Sequence, residues 1–167
     1  MSPESAKTLI AYVLGVHAQE SATTRNVLAA CPAGKESYSP DDRSMNTLKL
    51  AWHIASAEVF FLNGVAKGAF AAGEPDVPEA IKSVADVIAW YDANLPAAVE
   101  AVKGLSGETL ATEIDFFGMF KAPGVVYVDL MLRHSIHHRG QLSAYLRPMG
   151  AKVPGIYGPS GDAPIQK

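Results

Sequence analysis

The sequence predicts an all-α protein built on four long helices. Three observations lead there. Four stretches, at about residues 5–30, 44–67, 78–103 and 124–147, repeat their apolar residues with the ~3.6-residue period of a helix. Runs of Pro, Gly and small polar residues, which break helices, separate them. Histidines also fall inside the apolar stripes, so the buried faces carry chemistry as well as packing.

In the first stretch Ile10, Leu14, His17, Ser21 and Leu28 share one arc, with Val13 at its side. His17 therefore faces inward. It reads either as a core histidine bonded to a carbonyl or hydroxyl, or as part of the wall of a metal cavity. Cys31-Pro32-Ala33-Gly34 ends this helix, and Tyr38 to Asp42 is a polar loop.

Ser44 is a suitable N-cap for the second helix, which runs to about Lys67. The connection Gly68 to Asp76 is expected near one end of the helices, bordering the mouth of any site. A third helix is expected from Pro78, since proline is tolerated in a first turn. Pro96 should bend it or split off its last two turns. Trp90 and Tyr91 read as packing residues. Gly104 to Gly124 reads as irregular, with an extended piece at 112–120 lying across the end of the helices as a cover. Glu113 and Asp115 within it read as solvated charges, or one of them as the orienter of a histidine.

The fourth helix carries Val128, Leu132 and Ile136 on a second apolar row, so it should be buried on two sides, against a neighbouring helix or a second subunit. Arg147-Pro148-Met149-Gly150 stops it. The tail, 148–167, is expected to be irregular and to fold back by Val153, Ile156 and Tyr157.

The 167 residues are one domain's worth, so a single domain over 1–167 is expected. A net charge of −3 and a pI of about 5.9 argue against a general nucleic-acid binder. No apolar run approaches the ~20 residues of a membrane span. The start lacks the basic-then-apolar form of a secretory signal, and a cytoplasmic protein is expected. A lone cysteine, Cys31, excludes an internal disulfide and a cysteine metal cage.

The chemistry centres on Leu130 to Leu142, which holds three of the chain's five histidines. With Leu130 at zero and about 100° per residue, His134 falls near 40° and His138 near 80°, inside the apolar arc. His137 falls near −20°, on the edge of the arc, and Arg139 near 180°, on the far side. In the second helix His53 points to the same side as Leu50, Ala57 and Phe61. Buried imidazoles need partners. A divalent metal is one; a Tyr, Gln or carboxylate hydrogen bond is another. One histidine from one helix and a His-x-x-x-His pair from another can supply three neutral nitrogens, leaving a coordination position open. Gln141 and Tyr145 share the arc and can donate to a substrate or to each other. Glu58 lies about 140° from His53 and reads as an outer charge.

Leu48-x-x-x-x-His53-Ile54-x-x-x-Glu58, followed by His134-x-x-x-His138-Arg139-Gly140-Gln141-Leu142-x-x-Tyr145-Leu146-Arg147-x-x-Gly150 and the tail Val153-Pro154-Gly155-Ile156-Tyr157-Gly158, resembles the DinB/YfiT-like superfamily over essentially the whole chain. The resemblance implies an antiparallel four-helix bundle with a long crossover connection, usually a homodimer. It implies a divalent metal ion, zinc or nickel, on His53, His134 and His138. His17, His137, Gln141 and Tyr145 are left as substrate or second-sphere candidates, and no catalytic residue is assigned.

Several relatives transfer a low-molecular-weight thiol to a small electrophile, which makes such a transferase the first expectation. A metal-dependent hydrolase is the second, because the same ligands serve to activate either a thiol or a water. A non-catalytic metal staple or ligand sensor is the third.

Overall fold

The computed structural model describes residues 1–72 and 76–165. Helix α1 (Pro3–Ala29) starts where Ser2 caps it, its hydroxyl accepting from the Ser5 N–H at 3.1 Å, and Pro3 takes the first helical position. Helix α2 (Thr47–Lys67) is capped by Asn46, two residues later than expected. The Asp41 carboxylate engages the backbone N–H and the hydroxyl of Ser44, holding that residue in the preceding loop. Gly68 closes α2 in the left-handed region at φ 69°.

Helix α3 (Val84–Lys103) begins six residues after Pro78. Ser83 and Asp86 form a reciprocal capping box there, which satisfies two backbone donors where Pro78 offers no side-chain acceptor. The helix remains one element through Pro96.

The 104–124 segment is more ordered than its sequence suggests. It holds a short helix α4 (Gly107–Ala111) and an antiparallel hairpin of β1 (Glu113–Phe116) with β2 (Phe120–Pro123). The extended piece therefore has a partner in the residues that follow it. Asp115 accepts from the Gly118 N–H at 2.8 Å and closes the turn; Glu113 is exposed. Helix α5 (Gly124–Leu146) follows directly.

The chain is mostly helical. Helix α2 packs on α3 and α5, and α1 packs on α5, α4 and α3. Buried apolar residues form two clusters. One gathers Ile10, Leu62, Val102, Val128 and Met131; the other gathers Leu28, Ile54, Val87, Leu142 and Leu146. Helices α1 and α5 run from the first cluster to the second, and α2 and α3 run the other way.

Between the clusters, helices α1, α2 and α5 contribute buried polar side chains: His17 and Thr24 from α1, Glu58 from α2, and Ser135 and Arg139 from α5. Val128 and Leu132 are buried in the first cluster, and the same side of α5 meets α1 at Arg139, so the second apolar row is met within the chain. In the tail Val153 and Ile156 pack on the second cluster, while the Tyr157 ring stays exposed. Gly73 to Pro75 of the connection, and Gln166 and Lys167 of the tail, lie outside the described residues.

Candidate metal centre

Helix α2 carries His53, and α5 carries His134 and His138 one turn apart. All three are partly buried, and one nitrogen of each lies within 4.8 Å of the others. The Nε2 atoms of His53 and His134 are 3.1 Å apart. Two imidazoles bound to one ion at ~2.05 Å in tetrahedral geometry place their nitrogens roughly 3.3 Å apart, so the spacing fits a shared cation.

His138 has the partner that such a ligand needs. Its Nδ1 lies 2.6 Å from Gln141 Oε1. A carbonyl oxygen only accepts, so Nδ1 carries the proton and Nε2 keeps its lone pair for an ion.

The electrostatics keep the rings neutral. Burial, then the neighbouring His138, His53 and His137, push His134 down to about 4, against a smaller opposing pull from Glu58. Burial and His138 lower His53. Burial lowers His138 in spite of its bond to Gln141. Neutral imidazoles at neutral pH are the form that binds a metal.

His53 and His134 also stand in the wall of a cavity of about 740 Å³, within the ~300–1,000 Å³ of small-molecule sites. Trp52, Trp90, Phe60, Phe61 and Phe116 give it an aromatic wall. Trp90 both packs edge-on to Trp52 at 4.7 Å and faces this space, so it does more than the packing expected of it. Asp76, Val77 and Pro78 border the cavity, as expected for the end of the connection. The hairpin reaches it through Phe116, which stacks on Phe61, and the hairpin is fixed to α5 by the Tyr127 hydroxyl on Ile114 O at 2.7 Å.

The other sequence candidates fall elsewhere. His17 is buried, but its Nε2 meets Glu58 Oε2 at 2.8 Å. It is neither in the cavity wall nor bonded to a carbonyl or hydroxyl. Glu58 itself is 1% exposed, which corrects its reading as an outer charge. Its carboxylate accepts from His17, from the Tyr91 hydroxyl at 2.6 Å and from the Ser135 hydroxyl. Burial and Glu58 push the Tyr91 phenol upward.

His137 is exposed, its ring edge-on to His138 at 4.9 Å. Tyr145 donates to Met45 O at 3.2 Å, well removed in role from Gln141. Arg139 is buried on the α1 side, with Glu20 Oε2 at 2.6 Å and the Tyr157 hydroxyl at 2.7 Å. The far-side position of Arg139, near 180° and within the row of Val128 and Leu132, signals that it is inward, whereas Glu58 reads as outer because a polar residue on a second buried side looks like a surface residue.

Residues 5–165 match the DinB family. The uncharacterized protein YrdA of Bacillus subtilis (strain 168) is 32% identical over 115 residues, 67% of this chain and 66% of that protein. The chain thus matches just under two thirds of YrdA's length. The uncharacterized protein YjoA of the same organism is 30% identical over 116 residues, 68% of this chain and 73% of that one.

Among solved structures, a DinB-like protein from Bacillus cereus ATCC 10987 superposes with a TM-score of 0.73 at 28% identity, covering 87% of this chain and 95% of its own. The structure of the Bacillus subtilis DinB-like protein YjoA gives 0.67 at 24%, covering 86% and 92%, and speaks for the fold alone.

Proposed function

The chain belongs to the DinB family, and on that premise we propose that it is a divalent-metal-dependent enzyme transferring a low-molecular-weight thiol to a small electrophile. The observation that supports this is the convergence of His53, His134 and His138 beside a cavity that opens at His53 and His134. Among the described residues no fourth His, Cys, Asp or Glu joins them. His17, the other buried histidine, is engaged by Glu58 instead. An open position on a substrate-sized cavity favours an enzyme over a structural staple.

A zinc or nickel ion held there supplies a Lewis acid that lowers the pKa of a thiol brought to it. The chain does the rest. His53, His134 and His138 offer neutral nitrogens, and Gln141 fixes the proton of His138 on Nδ1. The aromatic wall excludes water from the acceptor. In the transfer the thiol gives its proton to solvent. The sulfur electron pair forms the sulfur–carbon bond, and the leaving group departs with the pair of the bond that breaks. Activation of water by the same ligands, giving a hydrolase, is the second reading.

The helix directions support an antiparallel four-helix bundle in which the connection after α2 is the long crossover. A homodimer belongs to the same proposal. Val128 and Leu132 are taken up inside the chain, so the exposed Leu9 and Tyr12 of α1 are the surface offered for it. Light scattering at micromolar concentration is the check, and a monomer removes it. Among the described residues no helix is long and apolar enough to cross a membrane.

Elemental analysis of the purified protein tests the centre. About one divalent ion per chain is expected, lost in His53→Ala and in His134→Ala. Full metal in both variants refutes the three-ligand reading. Turnover of an electrophile panel that requires added thiol supports the transferase; turnover without thiol supports the hydrolase.

A further inference from the structure

The cavity's chemistry narrows the acceptor. Apart from the histidines, the charged side chains in its wall are Lys49 and Asp76, which face each other across 3.5 Å. Among the described residues no unpaired charge awaits a charged ligand there. In the metal-free protein a charged group drawn inside would give up hydration and meet no unpaired counter-charge in the described wall. The rest of the wall is mostly apolar: Trp52 and Trp90 meet edge-on at 4.7 Å and Phe116 joins them from the hairpin, with the uncharged Ser56 and Asn63 as the polar side chains. Such rings favour offset and edge-on contacts with another ring.

We infer that the acceptor is an uncharged aromatic electrophile, its ring seated against Trp52, Trp90 and Phe116 and its reactive carbon turned toward His53 and His134. The inference rests on reading the three histidines as the reaction centre. The ring binds by its own contacts, so it binds without the metal. The reaction is the one already written: sulfur bonds to the ring-borne carbon, the leaving group takes the bonding pair, and the thiol proton goes to solvent.

The chain offers its own reporter. Its two tryptophans both line the cavity. Metal-free protein is titrated with 1-nitronaphthalene, an uncharged quencher without a leaving group, and tryptophan emission is followed. Saturable quenching is expected. It should weaken about tenfold in Trp90→Leu and in Phe116→Ala, the loss of one aromatic contact each. The second variant keeps both tryptophans and tests the claim if the first fails to fold. The same bicycle carrying a carboxylate, 4-nitro-1-naphthoate, should bind at least about tenfold more weakly.

Quenching no steeper than that of free N-acetyltryptophanamide overturns the inference. So does equal or tighter binding of the carboxylate, or of a quaternary ammonium analogue, which would mark a charge-binding cage. The two readings fail separately. Saturable binding in a protein that holds no metal and turns nothing over sinks the transferase and leaves the aromatic pocket. Metal-dependent thiol transfer confined to charged acceptors sinks the pocket and leaves the transferase.

Discussion

His53 Nε2 and His134 Nε2, 81 residues apart in sequence and on different helices, lie 3.1 Å from each other, within hydrogen-bonding distance. Two ring nitrogens can hold that distance with a proton between them or with a shared cation beside them. In the first case one ring carries its proton on Nε2; in the second both Nε2 atoms turn lone pairs outward and the proton moves to Nδ1. The site is therefore prepared for an ion by a change of tautomer, without bringing the helices together.

The lowered histidines set the pH range of metal binding. Protons compete with the metal only below a ligand's own pKa, and all three rings titrate below the ordinary 6.5, His134 near about 4. Affinity measured by chelator competition should change little between pH 7.5 and 6.5 and fall steeply at more acid pH. A loss already proportional to acidity above pH 7 would contradict this. The metal-free fold follows the same sign. The unfolded chain binds more protons between about 6.5 and about 4, so the contribution of His134 is complete above 6.5 and is lost as pH falls through that window. The melting temperature of metal-free protein should drop from pH 7 to pH 5, with a smaller drop in His134→Asn.

Gln141 tests whether ligand orientation matters. Gln141→Ala removes the acceptor on His138 Nδ1 and leaves the three nitrogens in place. Metal affinity should weaken about 10-fold, the lower end of the usual range for such partners because Gln141 is exposed. Unchanged affinity in a zinc titration would show that the tautomer is fixed without it.

Glu58 carries the largest predicted effect on stability. Glu58→Ala leaves His17, Tyr91 and Ser135, each about 2% exposed, without their shared acceptor. The cost should be roughly 3–5 kcal/mol in urea unfolding. Glu58→Gln retains an acceptor oxygen and should cost roughly 1–3 kcal/mol. A loss below about 1 kcal/mol for the alanine variant would mean that the polar layer contributes nothing net.

Gly64 is where α2 admits the aromatic cluster under the hairpin. A Cβ there would stand 2.2 Å from Phe70 Cε1, and the Phe70 ring is held by Tyr127 at 4.8 Å and Phe116 at 4.9 Å. Gly64→Ala should destabilise by roughly 1–2 kcal/mol, overpacking exceeding the gain in helix propensity. Thermal melting checks it; a stabilised variant would show that Phe70 moves aside freely.

The sequence made the ligands legible because one arc on α5 and one on α2 are both apolar and histidine-bearing, and a single 3.6-residue count sorts them. The count also sets Ser135 and Arg139 beside Val128 and Leu132 in the second apolar row of α5, but by itself it does not tell a buried polar residue from a solvated one, and Glu58 is missed on that ground. Helices α2 and α5 are each covered on two sides, and on the second side polar residues satisfy one another. Their partners lie on other helices, beyond any local window.

The cap at Asn46 was obscured by Ser44, an equally good capping type two residues earlier, whose hydroxyl Asp41 claims. Helix α4, at five residues, is too short to show a period. The partner strand Phe120–Pro123 has no alternation to read.

Arg139 gives the irregular tail a role in the fold. The Tyr157 hydroxyl accepts from its guanidinium at 2.7 Å and donates to Glu20 at 3.0 Å, with the ring 5.4 Å from the guanidinium carbon. A chain clipped by a protease at Gly155 would therefore strip the lid from a deeply set cation and let water reach the seam between the first and last helices. The stretch that looks most expendable in the sequence is the seal on the opposite flank from the histidines.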